Sequence, residues 1–423
     1  MLDQAAFSTC MARLEPFEDK PFLAIAVSGG ADSLALTLLA DRWARERDGR
    51  IVGLTVDHGL RSASSEEARQ TALWLEARGV EHHILVWSGE KPRTGLQRHA
   101  RDARYALLTD WCRRHRCLHL MTAHHRQDQA ETVALRKARQ SGGAGLAAMA
   151  AIRDMPGLHL LRPLLGVDKA SLEGALRAEG QPWLNDPSND SPAFERNRLR
   201  HAGLDIDGLV DEAERQGVLR QYTDRCVAEA LVRYVVIDPA GFATLDANGF
   251  GQLPSNLAFD LLVRLLMTIG GRIYPPRRQA LSRLFEALRN GKPENRKTLA
   301  YCRILMIRGR WLICRERPSS ERLLLEPDRR QRWDDRFIVR LGTPRSDLQI
   351  AALGNKARHG DKMLLPKGKV RRLPSAAKPT LPALWDDTQL IAIPHLGLYD
   401  RSLIPEDIDL QFCPRSPLAN APF

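Results

Sequence analysis

At 423 residues and 43% hydrophobic content, the chain exceeds the roughly 250–300 residues at which one core stops growing, so two or three packed domains are expected. Lys and Arg total 63 against 51 Asp and Glu, a formal charge of +12, which favours a polyanionic partner through counterion release, although an arginine-rich composition also yields basic proteins without that role. Seven scattered cysteines with no Cys-x-x-Cys argue against a disulfide framework, a zinc ribbon and an iron–sulfur site, and no run of about 18 apolar residues occurs, so a cytoplasmic protein without a membrane partner is expected.

In chain order, the apolar run Phe22 to Val27 predicts a strand and the apolar positions from Leu34 to Trp43 a helix, with Ser28-Gly29-Gly30-Ala31-Asp32-Ser33 between them. Strand, small-residue loop and helix form an anion cradle: glycines admit close backbone N–H groups, hydroxyls add donors, and the helix start carries a positive dipole end. A tight turn with a serine N-cap is the plainer reading. Asp32 favours the cradle, because a carboxylate among anion-binding amides would repel phosphate unless it carried a cation, which points to Mg²⁺ on a nucleotide. No Gly-x4-Gly-Lys-Ser/Thr motif occurs, which argues against the Walker-A class.

Further strands are predicted near 51–56, 82–87 and 118–122, alternating with helices near 34–46, 65–78, 96–114 and 128–139, the rhythm of an α/β doubly wound parallel sheet. Ser64-x-x-Glu67 reads as a capping box at the second helix. In such sheets ligands collect at the carboxyl ends of strands, where Ser28 to Ser33, Asp57-His58 and His124-His125 all fall. Arg101 and Arg104 share a helix face and suit either a guanidinium clamp on an anion or ordinary surface ion pairs. Asp128 and Glu131 also share a face; they suit an ammonium or a second Mg²⁺, or are acids placed by the helix dipole.

Residues 140–165 carry Gly142, Gly143, Gly145, Pro156, Gly157 and Pro163, and Gly180 to Pro192 is rich in Pro, Asn, Asp and Ser, so a long irregular region is expected to close the first domain. Arg196, Arg198 and Arg200 follow as a cationic cluster. Past about residue 205, Leu257, Leu261, Leu262 and Leu265, then Leu281, Leu284, Phe285 and Leu288, have helical core spacing. Leu299 to Ile307 and Trp311 to Cys314 suggest a small hairpin. From Pro318 short strands are expected at Phe337 to Leu341, Met363 to Leu365 and Leu390 to Ile393. Among them, Lys356, Arg358, His359, Lys362, Lys367, Lys369, Arg371 and Arg372 make a basic stretch, either solvated loop or nucleic-acid contact. The expected division is a nucleotide-binding domain over 1–205, a mostly helical domain over 206–317 and a small α+β domain over 318–423.

The loop Ser28 to Ser33 resembles the Ser-Gly-Gly-x-Asp-Ser signature of PP-loop ATP pyrophosphatases. Asp57-His58-Gly59-Leu60-Arg61, Ala100-Arg101-Asp102-Ala103-Arg104-Tyr105, His124-His125-Arg126-Gln127-Asp128-Gln129-Ala130-Glu131-Thr132, Arg162-Pro163-Leu164-Leu165, and Trp183 with Asp186-Pro187-Ser188-Asn189 and Arg196-Asn197-Arg198 resemble one family within that class, the tRNA(Ile)-lysidine synthetases. The likeness spans residues 20 to about 200. The chain departs from it at Arg139-Gln140-Ser141-Gly142, where the family usually has Arg-Gly-Ser-Gly, and at Asn185, where an acid often precedes Asp186.

The resemblance implies that ATP adenylylates O2 of the wobble cytidine of a CAU-anticodon isoleucine tRNA and that free L-lysine displaces AMP. It implies ATP contacts from Ser28, Gly29, Gly30, Ala31, Asp32, Ser33, Asp57, His58 and His124, and catalytic roles for Asp32, Arg101, Arg104, Asp128 and Glu131. Mg²⁺ would sit on Asp32 and Asp128, and tRNA on Arg196, Arg198, Arg200, Lys369, Arg371 and Arg372; a homodimer is left open. A PP-loop tRNA thiolase would normally bring paired cysteines and an amidotransferase-type synthetase a glutaminase nucleophile, and neither pattern occurs. A non-catalytic basic tRNA-binding protein is opposed by the intact Asp32, Asp128 and Glu131.

Overall fold

A computed structural model describes residues 2–60, 63–89, 91–92, 94–155, 157–185, 203–290, 297–342, 347–354, 364–366, 371–400, 407–416 and 418. The chain divides into two compact units, Met1–Arg220 and Gln221–Phe423. The first contains α1 (Gln4–Ala12), β1 (Phe22–Ala26), α2 (Ala31–Arg45), β2 (Arg50–Asp57), α3 (Ser64–Glu76), β3 (Glu81–Val86), α4 (Leu96–Arg114), β4 (His119–Met121), α5 (Arg126–Ala138), α6 (Gly143–Leu146), β5 (Ile152–Met155), β6 (Leu158–Leu161) and α7 (Lys169–Ala178). Its sheet has the order β3-β2-β1-β4-β6-β5. All neighbours are parallel except β5 and β6.

Local sequence explains why β1 and β4 lie at the centre. Leu23, Ala24, Ile25, Leu120 and Met121 are fully buried, as apolar runs must be when helices cover both faces of a parallel sheet. Leu34, Leu36 and Ala40 of α2 pack into one core layer with Leu23 and Ile25, while Leu108, Trp111 and Cys112 of α4 build a second layer with Val52 and Leu120. The strand order runs outward in opposite directions from β1 and β4, which leaves a crevice at their carboxyl ends.

Two expectations for this unit are corrected. The region 140–165 is not wholly irregular: β5 and β6 form a hairpin that extends the sheet past β4. Each strand has only four residues, too few for its pattern to stand out from a loop. The capping box at Ser64 is not the helix start either. Ala63 is the N-cap and its methyl has no atom to make a cap bond, while the Ser64 hydroxyl, one residue inside the helix, donates to Asp57 Oδ1 at 2.7 Å.

A long helix, Ile206–Tyr234, follows. In the second unit, Val235–Asp238, Phe242–Asp246, Arg310–Arg315, Cys302–Ile307 and Lys297–Leu299 make a five-stranded antiparallel sheet in that order. The hairpin expected at 299–314 is thus the centre of a larger sheet. Helices Ser255–Gly270 and Arg278–Arg289 bury Leu261, Leu262, Leu265, Leu281, Leu284, Phe285 and Leu288 in its core. Antiparallel strands at Phe337–Leu341, Leu348–Ala352, Pro382–Asp386, Gln389–Ile393 and Ile408–Phe412 belong to two further sheets.

All seven cysteines are free. No helix among the described residues is long and apolar enough to cross a membrane. Arg196, Arg198, Arg200, Lys356, Arg358, His359, Lys362, Lys367 and Lys369 lie outside the described residues. Of the remaining cations named for tRNA, Arg371 is paired with Asp238 at 2.7 Å and Arg372 is exposed.

Candidate nucleotide-binding cleft

The crevice is opened by the turn after β1. Val27 N–H still donates to Leu54 O, and the chain then leaves the sheet through Ser28 and Gly29 to Gly30, the N-cap of α2. Gly29 has φ +80°, and a Cβ there would meet Thr71 Oγ1 at 2.5 Å and a Leu184 methyl at 2.6 Å, so both conformation and space require glycine. Ser33, one turn into α2, staples the loop: its hydroxyl accepts from Ser28 N–H at 3.1 Å and donates to Gly30 O at 3.0 Å. Leu184 N–H donates to Gly29 O at 2.9 Å and holds the loop from the other side. Gly30 makes no side-chain cap bond, so the α2 start faces the crevice with the positive dipole end that suits an anion.

Asp32 sits in the first turn of α2, at the junction with the turn after β4. His125, the N-cap of α5, is 3% exposed, and its Nε2 is 3.6 Å from Asp32 Oδ2 and 3.6 Å from Asp128 Oδ2. Asp128 is fixed by a bond from His125 N–H to its Oδ2 at 3.0 Å. Asp32 Oδ1 is buried without a hydrogen-bond partner. Burial raises the Asp32 pKa; His125 and Lys169 oppose the rise, and Asp128 and Glu173 add to it. Orphaned buried polar atoms are rare and call for a reason, a bound ion among them.

Mg²⁺ is held by one or two carboxylates together with phosphate oxygens and water rather than by an all-protein cage. The pair Asp32 and Asp128 beside a phosphate cradle fits that demand, and among the described residues no group of three or more His, Cys, Asp or Glu is arranged to hold a metal by itself.

The crevice has two connecting lobes of about 450 and 490 Å³ that share Ser28, Gly30, Arg104 and Leu184, a size that suits a nucleotide and a second substrate. The first is lined by the apolar end of the sheet, Val27, Leu54 and Val56, with His58 at its rim. The second is polar and gathers Asp32, Arg101, Arg104, His124, Asp128 and Lys169. Arg101 lies 5.2 Å over the Tyr105 ring. Desolvation lowers the Arg104 pKa, and Arg101 adds to that effect; a guanidinium stays protonated in proteins. His124 Nδ1 is 3.0 Å from Thr122 Oγ1.

Two residues expected in the site line neither lobe, and a third, Ser33, lines the polar lobe with its hydroxyl already engaged. Asp57 lines neither lobe; its carboxylate is occupied by Ser65 Oγ at 2.6 Å, Ser64 Oγ at 2.7 Å and Gly59 N–H at 2.9 Å. The Ser65 bond leads in holding its pKa below the usual range, and the three bonds tie Asp57 to the loop that carries His58. The Ser33 hydroxyl is spent within the loop. Glu131 is fully buried and lines neither lobe, whereas Asp128, a turn earlier, lines the polar one. The His58 pKa is lowered, first by burial and then by Arg104.

Sequence reasoning did not select Lys169, Glu173 or Leu184, which also line the polar lobe. A signal was present. Asp168 is an N-cap whose carboxylate accepts from Ser171 N–H at 2.8 Å, and that Asp-x-x-Ser start places Lys169 at the first helical position.

Residues 4–205 match the PP-loop domain family. A tRNA(Ile)-lysidine synthase of Ruegeria pomeroyi is 37% identical over 383 residues, covering 89% of this chain and 89% of the relative. Those of Brucella anthropi and Orientia tsutsugamushi are 33% and 31% identical, covering 93% and 96% of both chains.

Proposed function

The chain belongs to the tRNA(Ile)-lysidine synthase family, and from that premise we propose how its cleft works as an ATP-utilising ligase that forms lysidine in tRNA. ATP binds with its adenosine in the apolar lobe and its phosphates along Gly29, Gly30 and the α2 start. O2 of the wobble cytidine in a CAU anticodon attacks the α-phosphorus, the bond to the bridging oxygen breaks, and pyrophosphate leaves. The ε-amine of free L-lysine then attacks C2, loses a proton, and AMP departs.

Each demand has a residue of suitable chemistry. Arg101 and Arg104 face the same lobe as the loop and stabilise charge that grows on the phosphoryl oxygens, where a preorganised cation is worth most. Asp32, with Asp128 beside it, would hold Mg²⁺, which neutralises charge on the leaving pyrophosphate. One Asp128 oxygen is committed to His125 N–H, which leaves the other for the lysine ammonium. Residues 1–205 form the catalytic domain in this reading, and 206–317 and 318–423 carry tRNA contacts.

The observation that supports this reading most is the orphaned Asp32 oxygen at the mouth of an anion cradle whose far wall is two arginines. The test is product formation on an isoleucine tRNA transcript bearing CAU, with lysine concentration varied and AMP and pyrophosphate followed. Lysine-dependent lysidine with stoichiometric AMP is expected. Product formed with ammonia or sulfide in place of lysine would move the chain to another PP-loop chemistry.

A further inference from the structure

Lys169 opens α7 at the edge of the polar lobe, and helix energetics do not account for it. A cation at the first position of a helix opposes the positive end of the dipole. Its nearest anion, Glu173 Oε1, is 4.0 Å away at i+4, and lysine placed amino-terminal to glutamate is the weaker orientation of that pair. Glu173 is held more closely by Arg177, at 2.9 Å. The ammonium is therefore not spent on its own helix.

Its placement is nonetheless well defined. Asp168 caps the helix through Ser171, and the preceding turn is pinned to α5 because Arg126 N–H donates to Val167 O at 2.9 Å. Lys169 is thus held in register with His125 and Asp128. It lines the lobe that contains Asp32, Arg101 and Arg104, and its charge acts on Asp32. The two arginines come from α4 and Lys169 from α7, so an anion extending from the loop past Asp32 has cations contributed by two different helices.

We propose that Lys169 is a further nucleotide-binding residue of this cleft, its ammonium taking a phosphate oxygen of ATP. This rests on the reading of the cleft as an ATP site. A residue kept against the preference of its helix, with a half-exposed flexible stem and a weak internal partner, has the properties of a phosphate-binding lysine. Its removal should then improve the helix while harming the site.

The experiment uses the full chain and two variants, Lys169→Gln and Lys169→Arg, with radiolabelled ATP and Mg²⁺ in equilibrium dialysis, lysidine kinetics and thermal melts. Lys169→Gln is expected to weaken ATP binding about tenfold or more, the effect of losing one charge-assisted contact, with the KM for lysine within about twofold and a Tm equal to or above that of the native chain. Lys169→Arg should recover most of the ATP affinity. Equal ATP affinity in Lys169→Gln and the native chain overturns the proposal, as does a raised KM for lysine with ATP binding intact, or a lowered Tm that Lys169→Arg shares. Failure of the native chain to bind ATP or to make lysidine would instead overturn the reading of the cleft, a result separable from the behaviour of the variants.

Discussion

Asp32 in the first unit and Asp334 in the second are both aspartates drawn into the protein, and they differ in how their oxygens are used. Asp334 is 5% exposed and fully engaged: Arg336 Nε donates to it at 2.8 Å and Arg315 Nη2 at 2.9 Å, while its own N–H donates to Glu321 at 2.8 Å. Arg336, 1% exposed, also reaches the carbonyls of Gly241 and Ile269. Asp32 keeps an oxygen with no partner, its nearest cation-forming neighbour is the His125 ring at 3.6 Å, and a second carboxylate stands beyond that ring. A satisfied buried carboxylate holds a fold together. An unsatisfied one beside an anion cradle is poised for a ligand, at some expense in stability.

The largest effect expected from this contrast is on activity. Asp32→Asn should reduce tRNA-dependent AMP release on the order of a hundredfold or more while leaving the Tm unchanged or raised. The sign follows from the raised Asp32 pKa: the neutral acid is favoured in the folded chain, so its stabilising contribution is present at low pH and lost as pH rises through the folded pKa, and asparagine imitates the neutral form. A clear fall in Tm would assign Asp32 to the turn instead.

Asp334→Ala should do the opposite. It leaves Arg315 and Arg336 without their shared partner and should cost about 3–5 kcal/mol in denaturant unfolding, with ATP affinity retained below the transition. An undiminished midpoint would show that the cluster is not what stabilises the second unit.

Asp128→Asn sharpens the contrast within the cleft. If its free oxygen takes the lysine ammonium, the KM for lysine rises about tenfold or more, with a much smaller change for ATP. Equal losses would return Asp128 to the metal.

The smallest effect concerns His82, whose Nε2 lies 2.8 Å from Thr55 Oγ1 and whose pKa burial lowers to about 4. Thr55 in turn donates to Val27 O at 2.9 Å, so the neutral ring donates to the hydroxyl and this chain of bonds ends just before Ser28. Because the folded pKa lies below the unfolded value, the unfolded chain binds the extra proton first, and stability should decline as pH falls from about 6.5 towards about 4. His82→Gln should flatten the unfolding midpoint over that window. An unchanged slope would show that other groups carry the acid sensitivity.

Much of the first unit was determined by sequence alone. The strands β1 to β4 and the helices between them follow from alternating apolar runs and helical periodicity, which act over a few residues and are visible in any window of the chain. The loop Ser28 to Asp32 reads as an anion cradle from sequence because small residues, hydroxyls and a carboxylate share one short turn between a strand and a helix. Only tertiary structure decided which polar groups were already occupied. Asp57 and Ser33 read as ligand contacts, yet their oxygens are taken by Ser65 and Ser28; Glu131 shares a helix face with Asp128 but faces the interior; and Lys169 reaches the cleft through a turn pinned to α5. Residue type shows what a side chain is able to bind, but whether that capacity is left over depends on neighbours brought close by the fold, and those neighbours are often remote in sequence.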